Sequence, residues 1–305
     1  CLILASAATI FAVARPQAVT SLIRTAGVDL VVLQDGSASM HVKDVKANRW
    51  QRSMRFLRTL GESLRWEDDR MALALFAHMA TPQIRLTKDP NTYFFFLDHL
   101  EDVSPFRLED DGTWDTNIER GIYWGLRLID KDQELRKNTK IPGQVSAERT
   151  NARAFILLSD GQSWSGEVAK SLALAQEAGV PVNVIGVGTT AGGIIPDPKR
   201  DVTKVVLRSV LNRSELARIA TAGGGRYYEL DRENDRDIAN TIIEQTRRRV
   251  GTRGLQEGTQ DLYWNFLAAA AGLVGVGVLF LRDRMALALQ ISAAAAVLLL
   301  VTAVF

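Results

Sequence analysis

Residues 31–44 read VVLQDGSASMHVKD, and the reading of this stretch decides the fold. A near-continuous apolar run from Val28 to Leu33 enters Asp35-Gly36-Ser37-Ala38-Ser39. Unbroken apolar runs of this length are what strands of a parallel sheet need when helices cover both faces. Where this strand stops, three oxygen-bearing side chains alternate. Alternate side chains of an extended chain project to the same side. Asp35, Ser37 and Ser39 can therefore converge on one point.

The same pattern recurs outward along the chain. Trp50, Met54, Leu57, Leu60 and Leu64 keep helical spacing over Arg49–Leu64. Met71–Ala77, Ala154–Ser159 and Val182–Gly188 are further buried strands. Pro82–Thr87 opens on proline, which donates no ladder hydrogen bond, and reads as an edge strand. Helices are expected over 90–100, 118–129, 167–178, 214–222 and 231–249, with a short strand over 226–230. Gly179 suits the end of the third of these helices. The polar stretch 131–151 reads as an insertion longer than the other loops. Strands alternating with helices imply an α/β fold, a doubly wound and mostly parallel sheet with helices on both faces. Ligands of such sheets bind beyond the carboxyl ends of the strands, where the strand order reverses.

Two more residue groups fall at such ends. Asp160 closes the Ala154–Ser159 strand, and Asp115, Thr116 and Asn117 precede the helix that begins at Ile118. The inventory is carboxylate and hydroxyl, without thiol or imidazole. Hard oxygen ligands suit Mg²⁺, Ca²⁺ or Mn²⁺ rather than zinc or copper. Asp, Ser and Thr also serve as helix caps and turn formers, which is the commoner role for any one of them alone. The ordered set favours a divalent cation.

Composition narrows the classes. The formal net charge of +2 and the lack of a basic stripe with interleaved aromatics exclude a nucleic-acid binder. Cys1 is the only cysteine, so no internal disulfide and no cysteine-based zinc site can form. Apolar residues concentrate at the two ends. Residues 2–14 are shorter than the about 20 apolar residues of a span. They read as the tail of a transmembrane helix; a signal-peptide core and a lipid-modified Cys1 are the alternatives. Residues 262–281 and 285–305 are two long apolar runs separated by Arg282-Asp283-Arg284, read as transmembrane helices over 261–281 and 285–305. Tyr263 and Trp264 stand at the first entry, as interfacial aromatics do. The expected organisation is a membrane segment over 1–14, a linker over 15–26, a globular domain over 27–249, a linker over 250–260 and two terminal spans.

At these residues a family resemblance emerges. VVLQDGSASM resembles the first motif of von Willebrand factor A domains, the metal-ion-dependent adhesion site. DTNIERGIYWGL resembles the second motif and AFILLSDGQSWSG the third. Further stretches, among them GVPVNVIGVGT and ELARIATAGGGRYYEL, extend the likeness over about residues 15–249. The arrangement is similar to bacterial membrane-anchored proteins of the BatA/BatB type, often associated with MoxR-type AAA+ ATPases. A related group is the von Willebrand factor A proteins of methanol dehydrogenase maturation, implicated in calcium insertion. By position the resemblance assigns Asp35, Ser37, Ser39, Thr116 and Asp160 as metal ligands, with Thr113 a competitor of Thr116. Mg²⁺ is the first expectation, Ca²⁺ and Mn²⁺ the others. Gln34 and Ser159 depart from the usual motif, as does the acidic segment with Trp114 before Thr116.

The function implied is binding rather than catalysis. A cation held by two carboxylates keeps an open position that a partner's Asp or Glu can fill. The expected protein is an adaptor or scaffold in the bacterial inner membrane. It would serve assembly or maturation of a complex with a MoxR-type ATPase and other membrane proteins of this family. Positive charges near the membrane segments would put the domain in the cytoplasm, whereas the resemblance implies the periplasm. The rivals are an envelope stress-tolerance factor and a metal-dependent hydrolase. Hydrolysis needs a general base, and His41, His78 and His99 are the only histidines. GVGTTAGG, residues 186–193, does not fit a dinucleotide-binding glycine pattern.

Overall fold

The computed structural model describes residues 2–23, 27–102, 104–138, 151–163, 165–198, 206–249, 255–279 and 291–292. In chain order the elements are α1 (Leu2–Val13), β1 (Gln17–Ile23), β2 (Val28–Asp35), α2 (Arg49–Glu62), β3 (Arg70–Phe76), β4 (Ala80–Thr87), α3 (Pro90–Asp102), α4 (Ile118–Asn138), β5 (Ala152–Ser159), α5 (Val168–Glu177), β6 (Val182–Gly186), β7 (Gly193–Ile194), β8 (Arg208–Ser209), α6 (Arg213–Ala222), β9 (Gly224–Glu229), α7 (Asp235–Arg249), β10 (Leu255–Asp261) and α8 (Tyr263–Leu279). They divide into two compact units, residues 25–254 and a second unit built from both ends of the chain.

The larger unit is built on a six-stranded sheet of order β4-β3-β2-β5-β6-β9. β2 lies parallel to β3 on one side and to β5 on the other, and β5, β6 and β9 continue in parallel. Only β4 runs antiparallel, at the edge. Pro82 is tolerated there because an edge strand needs only one set of ladder bonds. Leu30 and Val32 of β2 face one helical layer, with Met54 and Leu57 of α2, Leu97 of α3 and Ile242 of α7. Val31 and Leu33 face the other, with Ile118 and Ile122 of α4, Leu172 of α5 and Leu216 of α6. Burying apolar side chains on both faces explains why the central strands read as unbroken apolar runs. Each fully buried Val, Leu, Ile or Phe contributes about 1.5–3 kcal/mol.

Charges close the amino-terminal end of this sheet. Asp29 of β2 accepts from Arg70 Nε at 2.8 Å and from Asn151 at 2.8 Å, and Arg70 reaches on to Asp132 at 2.8 Å. Asp69 accepts from the Val28 and Arg65 amides and from Arg247 of α7. The carboxyl ends of the strands, at the other end, hold the oxygen cluster.

α4 corrects one expectation. It runs on through Lys131–Asn138, so the first part of the supposed insertion is helix. Residues 139–150 lie outside the described residues.

In the second unit, β1 and β10 pair antiparallel from Gln17 opposite Asp261 to Ile23 opposite Leu255. The stretches expected as linkers therefore carry paired strands. A bond from the Leu262 amide to the Pro16 carbonyl, 3.0 Å, extends the pairing. Phe11 of α1 stacks on Phe266 of α8, ring centres 5.8 Å apart. α1 has 12 residues and α8 has 17. Among the described residues no helix is long and apolar enough to cross a membrane. The span expected over 285–305 lies outside the described residues except for 291–292.

Candidate metal site

The strand order reverses at β2: the chain goes from β2 to β3 on one side and later returns to β5 on the other. This switch point is where such sheets bind ligands, and Asp35 and Asp160 stand there. Asp35 is the last residue of β2; Ser159 is the last of the neighbouring β5, and Asp160 follows it. Both aspartates are fully buried.

Each carboxylate is held by local bonds. Asp35 Oδ1 accepts from the Ser37 amide at 2.9 Å, and Oδ2 accepts from Ser159 Oγ at 2.6 Å. Ser159, the departure from the usual motif, is thus a direct partner of Asp35. Gln34, the other departure, is also buried and donates to the Asp35 carbonyl at 2.7 Å. Ser37 leads into a 3-10 turn over Ala38–His41, and Ser37 Oγ and Ser39 Oγ come within 3.1 Å. Gly36 permits the turn, since a Cβ there would overlap the Phe106 ring. The alternating Asp-x-Ser-x-Ser pattern therefore does bring its two hydroxyls together.

Thr116 reaches the same rim through backbone bonds. The Gly36 amide bonds the Phe76 carbonyl at the end of β3, and the Asn117 amide bonds the next carbonyl, that of Ala77. Ser163 Oγ, from the segment after Asp160, donates to the Thr116 carbonyl at 3.2 Å. Thr116 is buried; so is its competitor Thr113, in the preceding 3-10 turn over Asp111–Trp114. No hydrogen bond of the Thr116 hydroxyl to the other four residues is seen. Nearby Asp115 accepts from His78 Nδ1 at 2.8 Å and Ser165 Oγ at 2.6 Å, which, against the effect of burial, hold its carboxyl below the usual range.

Asp160 has a partner that the motifs do not announce. Its Oδ1 accepts from the Gln162 amide at 3.1 Å. Its Oδ2 accepts from Arg49 Nη1 and from Ser209 Oγ, each at 2.7 Å. Arg49 is fully buried and grips Asp44 with two parallel bonds, Nε to Oδ1 at 2.9 Å and Nη2 to Oδ2 at 2.7 Å. Asp44 also accepts from the Thr189 amide and hydroxyl at 2.8 and 3.0 Å. Arg49, Asp44, Thr189 and Ser209 escaped the sequence reading. Arg49 looked like the polar start of an amphipathic helix, and Ser209 lies 160 residues further on. The one available signal was Asp44 five residues before Arg49.

The electrostatics call for a cation. Burial, then the adjacent Asp160 charge, push the Asp35 carboxyl up to about 7, against the hydrogen bonds from Ser159 and Ser37. When all three carboxylates are ionised, they and the one guanidinium leave two negative charges, which one divalent ion neutralises. The donors are oxygen only, so the residues fit a hard cation such as Mg²⁺. Among the described residues no group of three or more carboxylate, imidazole or thiol side chains is arranged for a metal. A cation here would rest on two carboxylates and the hydroxyls. Of the histidines, burial lowers the pKa of His41, and its Nε2 is shielded from solvent without a hydrogen-bond partner. It is poorly placed to activate water.

Comparison with known proteins identifies the fold. The chain is similar to the structure of a conserved hypothetical protein, BatB, from Bacteroides thetaiotaomicron: 27% identity, TM-score 0.55, covering 72% of this chain and 98% of that one. It also resembles an aerotolerance-related membrane protein from Bacteroides fragilis, at 24% identity and TM-score 0.55, over 73% and 100% of the two chains. No curated protein matches. The model of the von Willebrand factor type A domain matches residues 29–245, the whole sheet and every residue of the rim, and the chain belongs to that family.

Proposed function

We propose that this domain binds a partner protein through a divalent cation, Mg²⁺ first, held by Asp35, Ser37, Ser39, Thr116 and Asp160. The observation that carries the reading is the pair of buried carboxylates side by side at the switch point, where burial and the Asp160 charge raise the Asp35 carboxyl. The cation would supply a Lewis-acidic contact for an Asp or Glu of the partner. The protein's own residues orient the site: Ser159 and the Ser37 amide fix Asp35, and Arg49 and Ser209 fix Asp160. The finer reading is an adaptor anchored in a bacterial inner membrane, its domain in the periplasm. It acts in assembly or maturation of a complex that involves a MoxR-type AAA+ ATPase and other membrane proteins of this family. The apolar helices α1 and α8 support the anchoring.

Crosslinking on intact spheroplasts with a membrane-impermeant reagent, followed by mass spectrometry, tests both parts. Wild type should yield partner crosslinks that EDTA and Asp35→Ala each reduce at least tenfold. Crosslinks indifferent to both treatments would remove the ion from the account. No crosslinks from spheroplasts, but the same set after lysis, would place the domain on the other side of the membrane.

A further inference from the structure

The buried ion pair of Arg49 and Asp44 sits directly against the metal site. Arg49 Nη1 touches Asp160 at 2.7 Å and approaches the Ser39 carbonyl at 3.4 Å, so it contacts two of the proposed ligand residues. Its seat is built. Asp44 takes the guanidinium fork, Ser209 Oγ accepts from Nη1 at 2.6 Å, and the Ser209 carbonyl accepts from Nη2 at 3.3 Å. Gly188, at φ +120, leaves room: a Cβ there would lie 2.5 Å from Arg49 Nε.

We infer that Arg49 and Asp44 together set the charge of the site and thereby its preference among cations. This rests on the cation-binding reading above. Without Arg49 the three carboxylates carry three negative charges; with it they carry two. Ion affinity of oxygen sites depends on the charge count of the ligands and on their rigidity. A trivalent ion gains more than a divalent one from each added negative charge, in proportion to its own charge. Arg49 therefore tunes the site to divalent ions, and Asp44 keeps the arginine from cancelling Asp160. The pair acts as a specificity-determining element without needing to touch the ion.

The test uses the purified full chain in mild detergent, with Tb³⁺ and Ca²⁺ as probes, since both take oxygen ligands. Affinities come from sensitised Tb³⁺ luminescence and its displacement by Ca²⁺. Arg49→Gln should raise the Tb³⁺-over-Ca²⁺ preference on the order of tenfold, and Asp44→Asn should lower it by a similar factor. The double variant, Arg49→Gln with Asp44→Asn, restores two negative charges and should return to within about threefold of wild type. Should Arg49→Gln fail to fold, judged by its thermal melt, Asp44→Asn and the double variant still decide. A preference unchanged in Asp44→Asn, or a double variant no nearer wild type than the singles, would overturn the inference. If wild type binds neither ion, the underlying cation-binding reading fails instead.

Discussion

Asp69→Ala is expected to destabilise the domain by about 3–5 kcal/mol, as urea unfolding should show by a lower midpoint at unchanged slope. Asp69 is fully buried and accepts four hydrogen bonds from three partners. It accepts from the Val28 amide at 3.0 Å, which starts the central strand, and from the Arg65 amide at 2.9 Å, which ends the turn after α2. Both its oxygens take Arg247 Nη2, at 3.1 and 2.9 Å. Removal leaves a buried guanidinium with, among the described residues, only the exposed Glu244 as partner, and two backbone donors unsatisfied. Arg247→Met is expected to lose less, because Asp69 keeps its two amides. A loss under about 1 kcal/mol for Asp69→Ala, or the reverse order of the two variants, would show that this network is not what closes that end of the sheet.

The second large effect has opposite signs with and without metal. In chelator-treated protein, Asp35→Asn should raise stability at pH 8 by about 2–4 kcal/mol. Two buried carboxylates side by side repel, and burial lifts the Asp35 carboxyl to about 7. The folded carboxyl therefore holds a proton that the unfolded one has already released. Stability that is complete below the unfolded value of 3.8 is lost as the pH rises through about 7. The variant has no such loss, so wild type and variant should converge near pH 4 and diverge toward pH 8. With Mg²⁺ present the ranking reverses: wild type regains stability by mass action and the variant does not. Thermal melts across pH with EDTA or Mg²⁺ check this. A wild type whose stability is flat from pH 4 to pH 8 in EDTA would mean that the carboxylates are already compensated.

The sheet was legible because burial on both faces leaves an unmistakable mark. Leu30–Leu33, Met71–Phe76 and Ala154–Leu158 can be apolar throughout only if helices cover both sides. Pro82 marked the edge strand for a local reason. The extension of α4 was hidden because Lys131–Asn138 is polar and largely exposed, which reads equally as loop or as solvated helix. The pairing of β1 with β10 was hidden for another reason: it joins residues about 240 positions apart, and neither strand has the apolar pattern of a core. The site divided in the same way. Asp35, Ser37 and Ser39 sit in one short stretch whose spacing carries its own geometry. Arg49 is invisible because a lone arginine at a helix start is ordinarily solvated, and its burial depends on Asp160 and Ser209, far along the chain. Sequence pattern reveals ligands that cluster locally and conceals charges that only the tertiary fold compensates.

The central claim is that Asp35, Ser37, Ser39, Thr116 and Asp160 hold a divalent cation at the rim of the sheet. Anomalous scattering from crystals grown with Mn²⁺ examines it most directly. One peak should appear beside the paired Ser37 and Ser39 hydroxyls, between the Asp35 and Asp160 carboxyls, and Asp35→Asn crystals should lack it. A map with no peak at that position, or one equally strong in Asp35→Asn crystals, would contradict the account.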